Sequence, residues 1–351
     1  MRGISALKMR TPSHRSGIVA AAIAILLTFV SSVAGDGTRN RATEQVKPSI
    51  EEQLRQHLRK LRGWGISQLM RTEQKVDNEQ KRRANTSSNP RELALLAQDE
   101  DVGVRFLVAV NRYTPLGTLI GLASDPKPTV RSGVALSLAY DPLDSESVRQ
   151  VVEDLGIRLA RDEQVLVRLG LLTNDRLPER VFETLSADAD FMVRTKLAEH
   201  HLAPQRVLMD LAQDSVYTVR ATALRHRNLP PDWLRQASGD PLPLIRMSVT
   251  SNVNTPLSVL DSLASDPDPG VRLLVAKHQR TRLATLRRMS GDPEVDVILA
   301  VANHPTADRA LLTKLAFEAE EGAVRSTAQR RLEPLLRKEI WEDILERWNS
   351  D

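Results

Sequence analysis

Residues 263–278 read LASDPDPGVRLLVAKH, and the frame of that stretch recurs along most of the chain. LAQDEDVGVRFLVAVN starts at Leu96, LASDPKPTVRSGVALS at Leu122 and LAQDSVYTVRATALRH at Leu211. The aspartate serves as an anchor. It falls at Asp99, Asp125, Asp162, Asp188, Asp214, Asp240, Asp266 and Asp292, and six of the seven intervals are 26 residues. The seventh, Asp125 to Asp162, is 37 residues, one period plus eleven. A further 26 residues leads to Glu318, giving nine units. A fixed period of this length marks an array of stacked structural repeats.

Each unit reads as two short helices. Proline stands ten residues before the anchor at Pro115, Pro178, Pro204, Pro230 and Pro256. The start of a helix tolerates it, because the missing N–H has no intrahelical partner there. Apolar residues follow at anchor −6 and −3, as in Leu260 and Leu263, with a small residue such as Ala264 at −2. That spacing gives one buried stripe. Asp-Pro then turns the chain at Pro126, Pro241, Pro267 and Pro293. A second helix carries aliphatic residues at +5 and +9, such as Val271 and Val275. Such units cannot bury their stripes alone and gain stability by stacking. The expected fold is all-α: a right-handed α-solenoid of about nine 26-residue repeats of paired short helices, α/3-10 or α/α.

The pattern L-A-x-D-P-x-x-x-V-R-x-x-V-A, with proline opening the preceding helix, resembles the leucine-rich repeat variant (LRV) family over about residues 89–331. Its second half is also similar to HEAT-like repeats. The resemblance implies helical repeats without strands and an Asp–Arg pairing between turns. Some members of the variant family hold an iron–sulfur centre on a cysteine cluster. This chain has no cysteine, so that property does not carry over, and no cofactor is expected.

Two polar columns accompany the repeat. Arginine stands at +6 in Arg105, Arg131, Arg168, Arg194, Arg220, Arg246 and Arg272; Ile298 breaks the column and Arg325 returns one residue late. Each arginine comes with an acid in register, which points to stitching of the turns rather than to a cationic ladder for an anionic ligand. At +12 stand Asn111, Asn174, His200, His226, Asn252, His278 and His304, with Ser137 as the exception. Asparagine is a poor transition-metal ligand, so no metal site is expected. What Asn and His share is tolerance of left-handed backbone and a short side chain able to cap a helix.

Outside the array, residues 1–34 carry Arg2, Lys8, Arg10, Arg15, no acid, and the apolar run IVAAAIAILLTFV at 18–30. Ser32-Val33-Ala34 supplies small residues for cleavage, so an exported chain with a Sec-type signal peptide is expected. The alternative is a membrane anchor at 18–34. Residues 35–90 hold an amphipathic helix at about 49–62, with Ile50, Leu54, Leu58 and Leu61 at helical spacing. It is expected to cover the open end of the array. Residues 71–90, including Lys81-Arg82-Arg83, read as a solvated linker. The solenoid spans 91–331 with an insertion near 138–152. Residues 145–160 read as one longer helix with Val148, Val151, Val152, Leu155 and Leu159 on a face, and the insertion is a candidate binding face. Residues 332–351 are expected to form a capping helix.

Beyond residue 34 the chain has 45 Lys+Arg against 45 Asp+Glu. Nucleic-acid binding ordinarily needs a basic field, and net charge supplies none. No phosphate loop, HExxH or GxSxG motif occurs, so the chain is not expected to be an enzyme and no catalytic residue is assigned. The expected function is an exported or membrane-anchored scaffold for a protein or peptide partner, touching membrane only through its amino-terminal segment. A nucleic-acid-binding solenoid and a HEAT-like accessory or lyase subunit are the alternatives.

Overall fold

The computed structural model describes residues 79–138 and 145–350, with side chains to residue 338. The signal-like segment 1–34, the amphipathic stretch 49–62 and the carboxy-terminal tryptophans Trp341 and Trp348 therefore lie outside the described residues or side chains. Nineteen helices and no strand occur among the described residues.

They are α1 Glu79–Thr86, α2 Pro90–Leu96, α3 Val102–Ala109, α4 Leu116–Leu122, α5 Pro128–Ser137, α6 Glu146–Ala160, α7 Val165–Leu171, α8 Glu179–Ser186, α9 Phe191–Glu199 and α10 Gln205–Leu211. Then come α11 Tyr217–Arg225, α12 Pro231–Ala237, α13 Pro243–Ser251, α14 Leu257–Leu263, α15 Pro269–Lys277, α16 Leu283–Met289, α17 Val295–Asn303, α18 Arg309–Glu318 and α19 Gly322–Ser350. From α2 onward they form nine pairs. Both members of a pair are α-helices, so the repeat is α/α; the first member tightens only at its end, where for example the Asp266 amide reaches back three residues to Leu263.

The chain divides into two compact units, one ending at Pro178 and one starting at Glu179. Within each unit successive second helices pack directly on one another: α3 on α5 and α5 on α7 in the first, and α9, α11, α13, α15, α17 and α19 in turn in the second. The core is aliphatic. Val104, Val108, Val130, Val134 and Val167 are fully buried in the first unit, as are Val219, Val249, Val271, Val275 and Val301 in the second. These are the +5 and +9 positions of the repeat. Gly133 on α5 permits the close approach of α3, since a Cβ there would lie 3.0 Å from Ala109 Cβ and from the Phe106 ring.

Four features depart from the expectations. Residues 79–86, within the stretch read as a linker, form α1. It packs on α3 and occupies the place of a preceding unit's second helix, with Ala84 buried and most of its other residues in solvent. Its basic triplet is consumed by ion pairs: Lys81 with Asp101, Arg82 with Glu79, and Arg83 with Glu92. Next, α6 is one helix as expected, but Val151 faces solvent while Val152, Leu155 and Leu159 are buried. The extra turns at its amino end extend beyond the core. Third, the second helix of the last unit and the capping helix are one element, α19, which runs through Pro334. Finally, no non-glycine residue has positive φ among the described residues, so left-handed backbone does not explain the Asn/His column.

Candidate binding groove

The anchor turn is built the same way in every unit that has the aspartate. The side chain of Asp266 accepts a hydrogen bond from the Asp268 amide two residues on, and all eight anchors do the equivalent. This is an Asx turn, the local bond for which Asp is suited. The arginine six residues later closes the loop from behind. Arg272 Nη1 donates to the Asp266 carbonyl at 2.9 Å, and Arg105, Arg131, Arg168, Arg194, Arg220 and Arg246 do the same in their own units.

The rest of the guanidinium reaches forward. Arg246 Nε and Nη2 donate to the two carboxylate oxygens of Asp266, the next anchor, at 2.6 and 2.7 Å. Arg105–Asp125, Arg131–Asp162, Arg194–Asp214 and Arg272–Asp292 are equivalent. Such forked pairs fix direction as well as charge. Donating to the Asp266 carboxylate holds the Arg246 pKa above its ordinary value, against the opposing effect of burial. Burial alone would push the Asp214 carboxyl up; the bonds from Arg194 and the Val216 amide outweigh it and hold it low. The break at Ile298 now has a cause. Arg325 bonds the Ala319 carbonyl six residues before it, so Ala319, not Glu318, is the last anchor. The unit without the arginine therefore faces the anchor without the carboxylate.

The +12 column is a second stitch on the opposite turn. His278 Nδ1 accepts from the Arg280 amide, which fixes the proton on Nε2, and Nε2 lies 3.1 Å from the Asn252 carbonyl. Asn252 accepts from the Asn254 amide with its Oδ1 and donates from Nδ2 to the carbonyls of Leu224 and His226. His226 bonds His200, and His304 bonds His278. In the last unit Arg331 takes the place of the column and donates to the carbonyls of Ala302 and His304. At the other end Asn111 donates to Ala84 and Ser87. Asn and neutral His share an acceptor near the backbone and a donor beyond it, and that is why they interchange here. Burial, reinforced by the nearby Arg227 and Arg280 cations, pushes the His226 and His278 pKa values down. Among the described residues no group of three His, Asp or Glu side chains is placed to hold a metal ion.

A third column has no counterpart in the sequence reading. Thr114, Thr255 and Thr281, at +15, donate to the carbonyls of Val108, Val249 and Val275 and so cap the second helices. Other units carry Leu229 or Ala307 there, which hides the pattern.

A concavity among the described residues lies on the Asn/His edge of the second unit. Three successive turns line a groove of about 600 Å³. Pro204, Pro230 and Pro231 stiffen its walls, and Leu202 lies on it 48% exposed. Asn254 Nδ2 ties two turns together through the Arg227 carbonyl. The Arg227 guanidinium itself has no hydrogen-bond or ion-pair partner among the described residues. A fixed apolar wall beside an unpaired cation suits a peptide segment carrying an aliphatic side chain and a carboxylate. Sequence reasoning assigned no binding residue here: Pro204 and Pro230 belong to the proline column that opens the first helices, and Leu202 and Arg227 stand where other units vary.

No family model matches the chain, and no curated protein does. Among solved structures, YibA of E. coli aligns at 16% identity and a TM-score of 0.32, over 72% of this chain and 95% of its own.

Proposed function

We propose that this chain is a helical-repeat scaffold of the leucine-rich repeat variant type, exported or held at a membrane by residues 18–34. It binds a protein or peptide partner and performs no catalysis of its own. One observation carries the reading. Most of the recurrent polar residues, which would be the first candidates for chemistry, spend donors and acceptors on the turns of their own and neighbouring units, while Leu202 and Arg227 in the groove are left without partners of their own. Exposed apolar surface beside a free cation marks a place where another chain is recognised. No described helix is long and apolar enough to cross a membrane, so in this reading any membrane contact falls to residues 18–34.

The test is affinity capture of the tagged chain from its native compartment, with the amino terminus sequenced alongside. The chain carrying Leu202→Asp and Arg227→Glu loses the partner, and the recovered amino terminus starts at Gly35 or retains residues 18–34. Capture of the same partner by wild type and variant alike removes the groove from the account.

A further inference from the structure

The turns that follow the second helices carry the groove's edge from unit to unit. Leu202, Arg227, Val253 and Arg280 come two or three residues after the ends of α9, α11, α13 and α15 and so stand on four successive units. All four are exposed, Leu202 to 48% and Val253 to 58%. Apolar and cationic side chains thus alternate along the edge, one per unit. Among the described residues Arg227 has no hydrogen-bond or ion-pair partner, and Arg280 commits only Nη1, to the carbonyls of Val253 and Thr255. The turns 200–204, 226–230, 252–256 and 278–282 contain no acidic residue, so they supply no carboxylate of their own.

We propose that the occupant of this edge is a polyproline II segment of a partner protein, with aliphatic and acidic side chains alternating at every third residue. The proposal rests on the groove being a peptide site. Spacing selects the conformation. Helices of neighbouring units pack about 8–10 Å apart. A polyproline II helix has three residues per turn and rises about 3.1 Å per residue, so residues three apart lie on one side, about 9 Å from each other. In a β-strand three residues cover about 10 Å, but successive side chains alternate, and every third one faces away. An α-helix matches the interval only at every seventh residue, about 10.5 Å, and its own carbonyls already hold its N–H groups. The edge offers acceptors for free ones. Asn228 and Asn254 spend Nδ2 on the carbonyls of His201 and Arg227, which leaves each Oδ1 without a donor among the described residues. A polyproline II backbone has no internal hydrogen bonds and brings its N–H groups unpaired. Its carboxylates meet Arg227 and Arg280, and its aliphatic side chains meet Leu202 and Val253.

Fluorescence anisotropy on the full chain reads the register. The probe is fluorescein-labelled Leu-Pro-Ser-Glu-Pro-Ser-Val-Pro-Ser-Glu. Two comparison peptides of equal charge carry the same aliphatic and acidic residues at every second position, and at every seventh position of an alanine-rich helix. The first peptide is expected to bind at least tenfold more tightly than either. Arg227→Glu, which breaks no side-chain bond within the described chain, weakens that binding at least tenfold, and a probe with Lys in place of its first Glu recovers binding to the variant. Equal or tighter binding of a comparison peptide, no loss on Arg227→Glu, or no binding by any of the three overturns the proposal. If partner capture still depends on Leu202 and Arg227 beside such a result, the groove stands as a binding site and only the register falls; if that dependence is lost too, both fall.

Discussion

Asn252 and His278 occupy equivalent places and make equivalent bonds, so they should be exchangeable. His278→Asn is expected to leave unfolding free energy within about 0.5 kcal/mol. His278→Ala, which orphans the Asn252 carbonyl, should cost about 1–3 kcal/mol. Urea denaturation measures both. Acid adds a second test. An imidazolium carries a proton on Nδ1 and can no longer accept from the following amide. Because the folded-state pKa values of His226 and His278 are depressed, the unfolded chain binds protons that the folded chain refuses. Stability is full above about pH 6.5 and falls as pH drops from there toward the folded values. The Asp214 carboxylate, also held low, contributes stability above about pH 3.9 that is lost only as pH falls through its own folded value. A decline already visible at pH 5.5, and reduced in the double variant His226→Asn/His278→Asn, is therefore the signature of the ladder. A flat profile between pH 7 and 5 would exclude it.

At the scale of elements, α1 and α19 close the two ends by opposite means. α1 buries one alanine and keeps its charges outside, whereas α19 carries the last ladder residue, Arg331, inside a continuous helix. Ala84→Glu would place an uncompensated charge against α3 and should destabilise the first unit by about 3 kcal/mol or more; far-ultraviolet melting with a lowered first transition is the readout. Pro334 deprives α19 of one backbone bond, so Pro334→Ala should raise helix stability by up to about 3 kcal/mol, seen as slower amide exchange around Arg330 and Arg331. The pairing of helices was legible in the sequence because its apolar spacing repeats eight times. The helix at 79–86 was not, because a cap with a single buried alanine has no hydrophobic period. The longer α6 was legible in extent, but its buried face follows contacts inside the unit, which moved Val151 to the solvent side.

For the whole molecule, the period and the two polar columns were readable, while their partners were not. Residues 26 apart become neighbours only when units stack, so the bonds of His226 and Asn252 have no local sequence signal. The one-residue slip of the last unit did have one, in Arg325 arriving late, and the missing carboxylate at Ala319 explains it. The groove left no trace, because Leu202 and Arg227 stand where other units vary. The surface thus divides into repeated residues that hold units together and unrepeated residues that the proposed function assigns to a partner. A double-mutant cycle on Arg246 and Asp266, whose side chains are only 11% and 3% exposed, tests that division most directly. Arg246→Ala and Asp266→Ala should each cost about 3 kcal/mol, the double variant little more than either, with coupling of about 2 kcal/mol and the captured partner unchanged. Single variants that unfold like wild type while losing the partner would show that the column binds ligand, and would contradict the account.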